Sequence, residues 1–295
     1  MPPVAKAGRS AQRVSALCAI QKGTAQVCET TVEIGGMPIL VRTDGVWTDS
    51  LEFFQILQNR YAGYLSESPD PVAVFDVDIV PPQRISEDED LNVRLESGRW
   101  VMERGDFRAV WNPETGQGTI RQSANPYSID AAFRIVHSLL LARQGGLLVH
   151  AASAVRNGRA FLFAGASTAG KTTISRLAPP DATLLTDEIS YLRRNPDGRG
   201  FTAYGTPFAG ELAEPGKNVQ APLAGLFLLA KGPRNVIEPL TQAEAVRGVM
   251  ESILFFAHDA DLVAKVFDLA FELTSAAPVR RLTFFPDERV WELIQ

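Results

Sequence analysis

Residues 165–172 read GASTAGKT and match the pattern G-x-x-x-x-G-K-[ST]. Where a chain turns sharply from a strand into a helix, the first helical amides have no partner within the helix. With glycines allowing close approach, these amides can bind an anion. Lys171 would add a positive charge at the β- and γ-phosphates of a nucleotide, and the Thr172 hydroxyl would ligate Mg²⁺. The segment therefore predicts a phosphate-binding loop.

The sequence on both sides of this loop has the order that the motif requires. Residues 160–164 (AFLFA) form a short apolar run, which predicts a buried strand. Residues 171–178 (KTTISRLA) have helical apolar spacing and end before two prolines, Pro179 and Pro180. This context favours a nucleotide loop over the alternative, a glycine turn whose lysine is simply solvated.

Two carboxylates follow the next apolar run, ATLLT. Asp187 and Glu188 are expected at the carboxyl end of a buried strand beside the loop, where an α/β sheet places a Mg²⁺ ligand and a catalytic carboxylate. The alternative is a polar pair that only begins a surface loop.

His150 lies within the apolar run LLVHAASAV. A lone histidine in a strand is more often a core residue than a reactive one. However, residues 147–155 and 160–164 predict neighbouring strands joined at residues 156–159, which would bring His150 near the phosphate loop.

Composition limits the classes of function. The formal net charge is −5 without a basic block, which does not favour a nucleic-acid partner, and no apolar run has the length of a membrane span. Cys18 and Cys28 have no metal-like spacing and could be buried, free or flexible. Without a disulfide framework or a signal peptide, we expect a cytoplasmic protein.

The chain divides into three parts on its patterning: a disordered tail over 1–13, a β-rich module over 14–124 and a second domain over 125–295. The β-rich module is expected to contain, in order, a hairpin over 26–42, a helix over 49–65, a strand over 71–80 and an antiparallel meander over 91–122.

The second domain opens with a helix predicted over 128–143 and capped by Gly145. Its later apolar runs predict strands buried on both faces. The expected elements are strands at 147–155, 160–164, 182–186, 223–230 and 279–285, helices at 241–256 and 259–273, and a short helical turn at 287–294. Residues 205–211 (GTPFAGE) lie in a Pro/Gly-rich loop, which either contacts a substrate or is a plain surface connection.

The combination of LLVHAASAV, GASTAGKTT, LLTDE, GTPFAGE and APLAGLFLL resembles the catalytic domain of the HPr kinase/phosphorylase family, over residues 128–295. The resemblance implies an α/β P-loop kinase domain of the HPr-kinase/PEP-carboxykinase type, preceded by a small β-rich α+β N-terminal module.

The same resemblance implies an ATP- and Mg²⁺-dependent kinase that transfers the γ-phosphoryl group to a serine hydroxyl of a protein or peptide. It assigns Mg²⁺ binding to Thr172 and Asp187 and the remaining catalytic roles to His150, Lys171, Asp187 and Glu188, and it places Glu211 in the substrate loop. The nucleotide-binding residues would be Gly165, Ala166, Ser167, Thr168, Ala169, Gly170, Lys171, Thr172 and Thr173.

Two departures from the family affect these expectations. Glu188 stands where the family has a second aspartate, which changes the reach of that carboxylate. The glycine-rich signature that accompanies the reverse reaction is not found, so we do not expect dephosphorylation. Because the parent family forms hexamers, a homo-oligomer is also considered. The apolar face of the helix over 259–273 would pack either between subunits or into its own core.

Two other functions fit the same residues. One is a non-catalytic ATP-binding sensor or adaptor, which would keep the phosphate loop but need no general base. The other is a small-molecule kinase or a carboxykinase-like enzyme, which is less favoured because no cluster of arginines is evident near the loop.

Overall fold

The computed structural model describes residues 18–19, 27–44, 48–81 and 90–295, and the tail predicted over 1–13 lies outside them. Across these residues the fold is mixed α/β, with two nine-stranded sheets and five α-helices. This agrees with the α/β expectation at the level of fold class. Among the described helices, none is both long and apolar enough to cross a membrane.

The first sheet is built from the amino-terminal part of the chain and has the strand order β1-β2-β3-β5-β9-β8-β7-β6, with β4 beside β2. A 3-10 helix at Ala62–Tyr64 precedes β4. The elements are β1 Cys18–Ala19, β2 Val27–Ile34, β3 Met37–Asp44, α1 Thr48–Arg60, β4 Leu65–Ser66, β5 Ala73–Ile79, β6 Asn92–Glu96, β7 Arg99–Arg104, β8 Phe107–Trp111 and β9 Gln117–Gln122.

Local sequence explains most of this sheet. In β2, alternate side chains are buried, as expected for a strand with one face on the core. Gly35 and Gly36 join β2 to β3 with φ angles of 61° and 73°, which suit a two-residue hairpin turn. The hairpin and the β6–β9 meander are confirmed, whereas the first helix ends at Arg60 rather than at residue 65.

Cys28 is not free. It is fully buried and disulfide-bonded, and the β1–β2 register sets Cys18 opposite it. The expectation that no disulfide shapes this chain is therefore wrong.

The second sheet has the order β10-β14-β15-β16-β12-β11-β13, and β18 pairs with both β16 and β17. A terminal 3-10 helix covers Glu288–Leu293. The elements are α2 Pro126–Gln144, β10 Gly146–Val149, β11 Ala151–Arg156, β12 Arg159–Ala164, α3 Lys171–Arg176, β13 Thr183–Thr186, β14 Ser190–Arg194, β15 Phe201–Tyr204, β16 Gln220–Lys231, β17 Val236–Pro239, α4 Gln242–Met250, α5 Ala260–Ala276 and β18 Val279–Phe284.

Three parallel strands form the part of this sheet that carries the phosphate loop. β12 and β18 both run parallel to β16, on either side of it. Their carboxyl ends therefore meet at one edge, which is where ligands bind in open α/β sheets.

The single strand predicted over 147–155 is wrong. The run is broken at His150 into β10 and β11, and β10 pairs with β14 whereas β11 pairs with β12 and β13. A continuous apolar run contains no local signal for such a break, because every residue in it suits a buried strand.

Other predicted elements agree in type and differ in their ends. α2 begins after Asn125, whose side chain accepts from the Tyr127 amide, and ends at Gly145 with a φ of 85°. The helix predicted over 241–256 stops at Met250, and β14, β15 and β17 were not predicted.

The two sheets share one hydrophobic core, which runs from Val32 and Phe75 through α2 to Leu192. A second cluster under α3 includes Phe163, Phe227 and Trp291. The face of α5 formed by Leu262, Val266, Leu269 and Leu273 is buried in the chain's own core, which settles the alternative left open by its spacing.

Candidate active site

The predicted phosphate loop connects β12 to α3 and requires glycine at two positions. Gly170 has a φ of 111°, and a Cβ atom there would lie 2.5 Å from the Phe284 ring. A Cβ atom at Gly165 would lie 2.7 Å from the Cβ of Ala169. The backbone is therefore packed too closely against these neighbours for a side chain at either position.

Lys171 is folded into the loop that precedes it. Its Nζ donates to the carbonyl oxygen of Gly165 at 3.0 Å and lies 3.4 Å from that of Ala166. Only 8% of the residue is exposed, and this burial lowers its pKa, an effect that the negative charges of Glu188 and Glu211 oppose. The ammonium group is thus held inside the phosphate loop.

A cleft of about 620 Å³ opens in front of the loop. It brings together most of the residues that the sequence singled out. The lining residues are His150, Ser167, Thr168, Gly170, Lys171, Thr172, Thr173, Glu188, Gly210, Glu211 and Lys231.

Glu188 and His150 are in contact within this cleft. The Nε2 atom of His150 lies 3.4 Å from Oε1 of Glu188, and each side chain is about one-third exposed, at 35% and 33%. The contact with the histidine is the main cause that lowers the pKa of Glu188, and the positive charges of Lys171 and Arg134 add to it. Glu188 is therefore an ionised carboxylate at neutral pH.

The break between β10 and β11 directs His150 toward the cleft. The His150 amide donates to the Ser252 carbonyl at 2.7 Å instead of pairing with a neighbouring strand of the sheet. The sequence correctly associated His150 with the loop, although through a continuous strand that the structure does not contain.

Asp187 has a different environment from its neighbour. It is only 3% exposed, and its two carboxylate oxygens accept from the amides of Gly210 and Leu212 at 2.8 and 2.9 Å. These bonds fix the loop that carries Glu211. In this arrangement Asp187 does not border the cleft, so its role as a Mg²⁺ ligand remains a prediction.

The carboxylates that do border the cleft are Glu188 and Glu211, opposite the Thr172 hydroxyl. Oxygen ligands of this kind suit Mg²⁺, which binds proteins through one or two carboxylates and takes its other ligands from phosphates and water. In the part of the chain that the structure describes, no group of three or more histidine, cysteine or acidic side chains could hold a metal ion by itself.

Thr186 orients the acidic pair. Its buried Oγ1 accepts from the amides of Glu188 and Ile189, both at 3.1 Å, and so stabilises the tight turn after β13. Both carboxylates approach Gly210, where an added Cβ would lie 2.9 Å from Oδ2 of Asp187 and 2.9 Å from Oε2 of Glu188. A threonine just before a polar pair is a local sequence signal for such a cap, and the sequence interpretation did not use it.

The loop of Glu211 is also attached to the amino-terminal sheet. The Tyr64 hydroxyl donates to the Gly216 carbonyl at 2.9 Å, and the Asn218 side chain donates to the Gly63 carbonyl at 3.0 Å. Tyr64 is buried, which raises its pKa, so the hydroxyl stays protonated and remains a donor. The β-rich module thereby contributes to the shape of the cleft.

Two basic residues of the site were missed by the sequence interpretation. Lys231 ends β16 and lines the cleft. Arg134, on α2, lies over the Phe208 ring at 5.2 Å, within the loop of Glu211. Its position in the middle of an apolar helix was a usable signal, because a half-buried cation on such a helix needs a partner.

Comparison with known proteins bears on the carboxyl-terminal part. A family model described as SynChlorMet cassette protein ScmC matches residues 121–294, well over half of the chain. No curated protein matches this chain.

Proposed function

We propose that this chain, which belongs to the SynChlorMet cassette protein ScmC family, is an ATP- and Mg²⁺-dependent kinase that phosphorylates a serine of a protein or peptide. The proposal rests on the cleft, not on the family description. The single observation that carries it is a glycine loop with a buried lysine, facing an ionised glutamate in contact with a histidine.

The residues of the cleft fit a nucleoside triphosphate. The loop precedes α3, and amides at such a strand-to-helix turn can bind phosphate oxygens. Lys171 and Lys231 supply positive charge on the cleft wall. Thr172 and Glu211 would hold Mg²⁺, and the ion when bound would neutralise charge on the transferred phosphoryl group.

Glu188 is our candidate for the general base. A serine hydroxyl attacks the γ-phosphorus, the bond from that phosphorus to the β–γ bridging oxygen breaks, and the serine proton passes to the Glu188 carboxylate. His150 contacts the Glu188 carboxylate, orients it and lowers its pKa. Lys171 stabilises the negative charge on the transferred group, and Asp187 holds the loop of Glu211 in place.

A non-catalytic ATP sensor is the second candidate, and one observation favours it. Asp187, the residue expected to bind Mg²⁺, is committed to the amides of Gly210 and Leu212. A site that binds nucleotide without transferring phosphate would tolerate this arrangement.

The test is transfer of label from γ-labelled ATP with Mg²⁺ to a degenerate peptide library that has one central serine. The full-length parent is compared with Lys171→Ala and Glu188→Gln, and Phe271→Leu, on the far helix α5, serves as the control. We expect the parent and the control to label serine. We expect Lys171→Ala and Glu188→Gln to lose about 100-fold or more in rate, as is typical when a charge-stabilising group or general base is removed.

The two candidates give different results. ATP binding by the parent without label on any serine, and unchanged binding by Glu188→Gln, would refute the kinase and establish the sensor. Label on free serine or small hydroxy acids but not on peptides would instead indicate a small-molecule kinase.

A further inference from the structure

The carboxyl edge of the second sheet has another cavity beside the phosphate loop. It has a volume of about 310 Å³ and lies between the turn after β16 and the end of β18. Its walls include Arg234, Asn235, Phe285, Asp287 and Arg289. We propose that this cavity binds the base of the nucleotide and that Phe285 stacks on it. The proposal rests on the proposed nucleotide binding.

Two neighbouring phenylalanines have opposite environments. Phe284 is 3% exposed, and its ring fills the space beneath Gly170 of the phosphate loop. Phe285, the next residue, is 49% exposed and lines the cavity. A single exposed phenylalanine needs no explanation on a protein surface. Here the exposed ring belongs to the residue after Phe284, which packs against Gly170 of the phosphate loop. A flat aromatic ligand at this position could cover the exposed ring.

The backbone of this aromatic position is fixed by specific hydrogen bonds. The Phe285 amide donates to Oδ1 of Asn235 at 2.8 Å, and the Asn235 side chain donates to Asp287 at 3.2 Å. Asp287 also pairs with Arg289 at 2.6 Å. The turn after β16 and the segment after β18 are thereby joined, so the cavity wall is ordered before a ligand arrives.

The cavity and the phosphate cleft lie at the same edge of the sheet. Lys231 lines the cleft and Arg234, three residues later, lines the cavity. β16 and β18 are parallel neighbours that end side by side, and the Gly232 amide donates to the Phe284 carbonyl at 3.2 Å. A nucleotide with its phosphates at Lys171 could therefore extend its base along this edge toward Phe285.

The chemistry of the cavity suits a heteroaromatic base. Aromatic rings stack on nucleobases through their faces, and guanidinium groups such as those of Arg234 and Arg289 can pack against the same faces. The Asn235 and Asp287 side chains are already bonded to the Phe285 amide, to each other and to Arg289, so they order the wall. Stacking is therefore the contact that this cavity offers a purine.

The experiment compares two probes that share a triphosphate but not a base: MgATP and magnesium tripolyphosphate. Their affinities are measured by calorimetry for the full-length parent, Phe285→Leu and Phe285→Trp. Phe271→Leu is the matched control, because Phe271 is 52% exposed on α5 and Phe285 is 49% exposed. We expect Phe285→Leu to bind MgATP about tenfold more weakly, as loss of one stacking contact implies.

The remaining variants separate stacking from other effects. Phe285→Leu should bind tripolyphosphate within about twofold of the parent, and Phe285→Trp should bind MgATP at least as tightly as the parent, because it keeps an aromatic face. Unfolding midpoints like that of Phe271→Leu would show that both variants fold.

Two results would overturn the assignment: Phe285→Leu with unchanged affinity for MgATP, or with an equal loss for both probes. If the parent bound neither probe, the proposed nucleotide binding itself would be refuted and this subsite with it. If the parent bound tripolyphosphate as tightly as MgATP, the phosphate loop would stand and the base site would not.

Discussion

Replacing Gly170 by alanine tests the geometry on which the phosphate loop depends. Gly170 has a φ of 111°, and its added Cβ would lie 2.5 Å from Cζ and 3.0 Å from Cε1 of Phe284. A left-handed backbone costs a non-glycine residue about 1–2 kcal/mol. Because Phe284 is only 3% exposed, its ring cannot move into solvent, and overpacking should cost a further 1–3 kcal/mol or so. We expect a total loss of about 2–5 kcal/mol in the free energy of unfolding.

Gly158 provides the matched control. It lies in the β11–β12 turn with a φ of 73°, and nothing is within 4 Å of its would-be Cβ. Gly158→Ala should therefore cost only the backbone contribution of about 1–2 kcal/mol. Urea unfolding followed by circular dichroism would measure both variants under the same conditions.

The informative quantity is the difference between the losses in unfolding free energy of Gly170→Ala and Gly158→Ala. If Gly170→Ala costs no more than Gly158→Ala, then the Phe284 ring does not lie against the loop. A second check is Gly170→Ala in a Phe284→Leu background, where the extra cost should shrink because leucine can vacate part of the space of the ring.

Three further predictions concern ionisable groups. His150→Ala should move the acid limb of the pH–rate profile to higher pH, because the histidine holds the pKa of Glu188 low, and an unshifted limb would contradict this coupling. Asp187→Asn should cost about 1–3 kcal/mol in urea unfolding and speed amide exchange at either Gly210 or Leu212, since the new amide nitrogen cannot accept the hydrogen bond that it faces. His137 is fully buried with a pKa lowered from 6.5 to about 3, so the unfolded chain takes up a proton that the folded chain excludes. Stability should therefore fall by about 2 kcal/mol from pH 6.5 to pH 5, and His137→Gln should remove that part of the slope in acid titrations of unfolding.

Features that depend on neighbouring residues were predictable from the sequence. The phosphate loop, β12 and the start of α3 follow from glycine spacing and a short apolar run. Thr241 and Glu244 have capping-box spacing in the sequence, and the structure contains that capping box at the start of α4. The hydrogen bonds of α3 and of the capping box join residues within a few positions of each other, so the sequence pattern contains nearly all the relevant physics. β12 pairs with the distant β16 and was recognisable from its apolar run instead.

The roles of the two adjacent carboxylates were not predictable in the same way. The amides that occupy Asp187 belong to Gly210 and Leu212, more than twenty residues away in sequence. The contact that lowers the pKa of Glu188 comes from His150, and its position depends on a strand break that no local signal marks. The sequence placed the pair at the end of a buried strand, as the structure does after β13, but could not divide it into a member bonded to the Glu211 loop and a member that lines the cleft, because that division depends on tertiary contacts.

The attachment of the Glu211 loop to Tyr64 has a practical consequence for anyone who shortens the chain. The family model begins at residue 121, but two strand residues after that point bond to the first hairpin: Arg193 to the Gly35 carbonyl and Tyr191 to the Met37 sulfur. The Glu211 loop bonds to Tyr64 through the Gly216 carbonyl. A fragment that begins at residue 121 would expose the apolar surface on which the first sheet packs. It would also lose the hydrogen bond from Tyr64 that holds the Glu211 loop. The residues that the family model matches are therefore fewer than the residues that the folded carboxyl-terminal part needs.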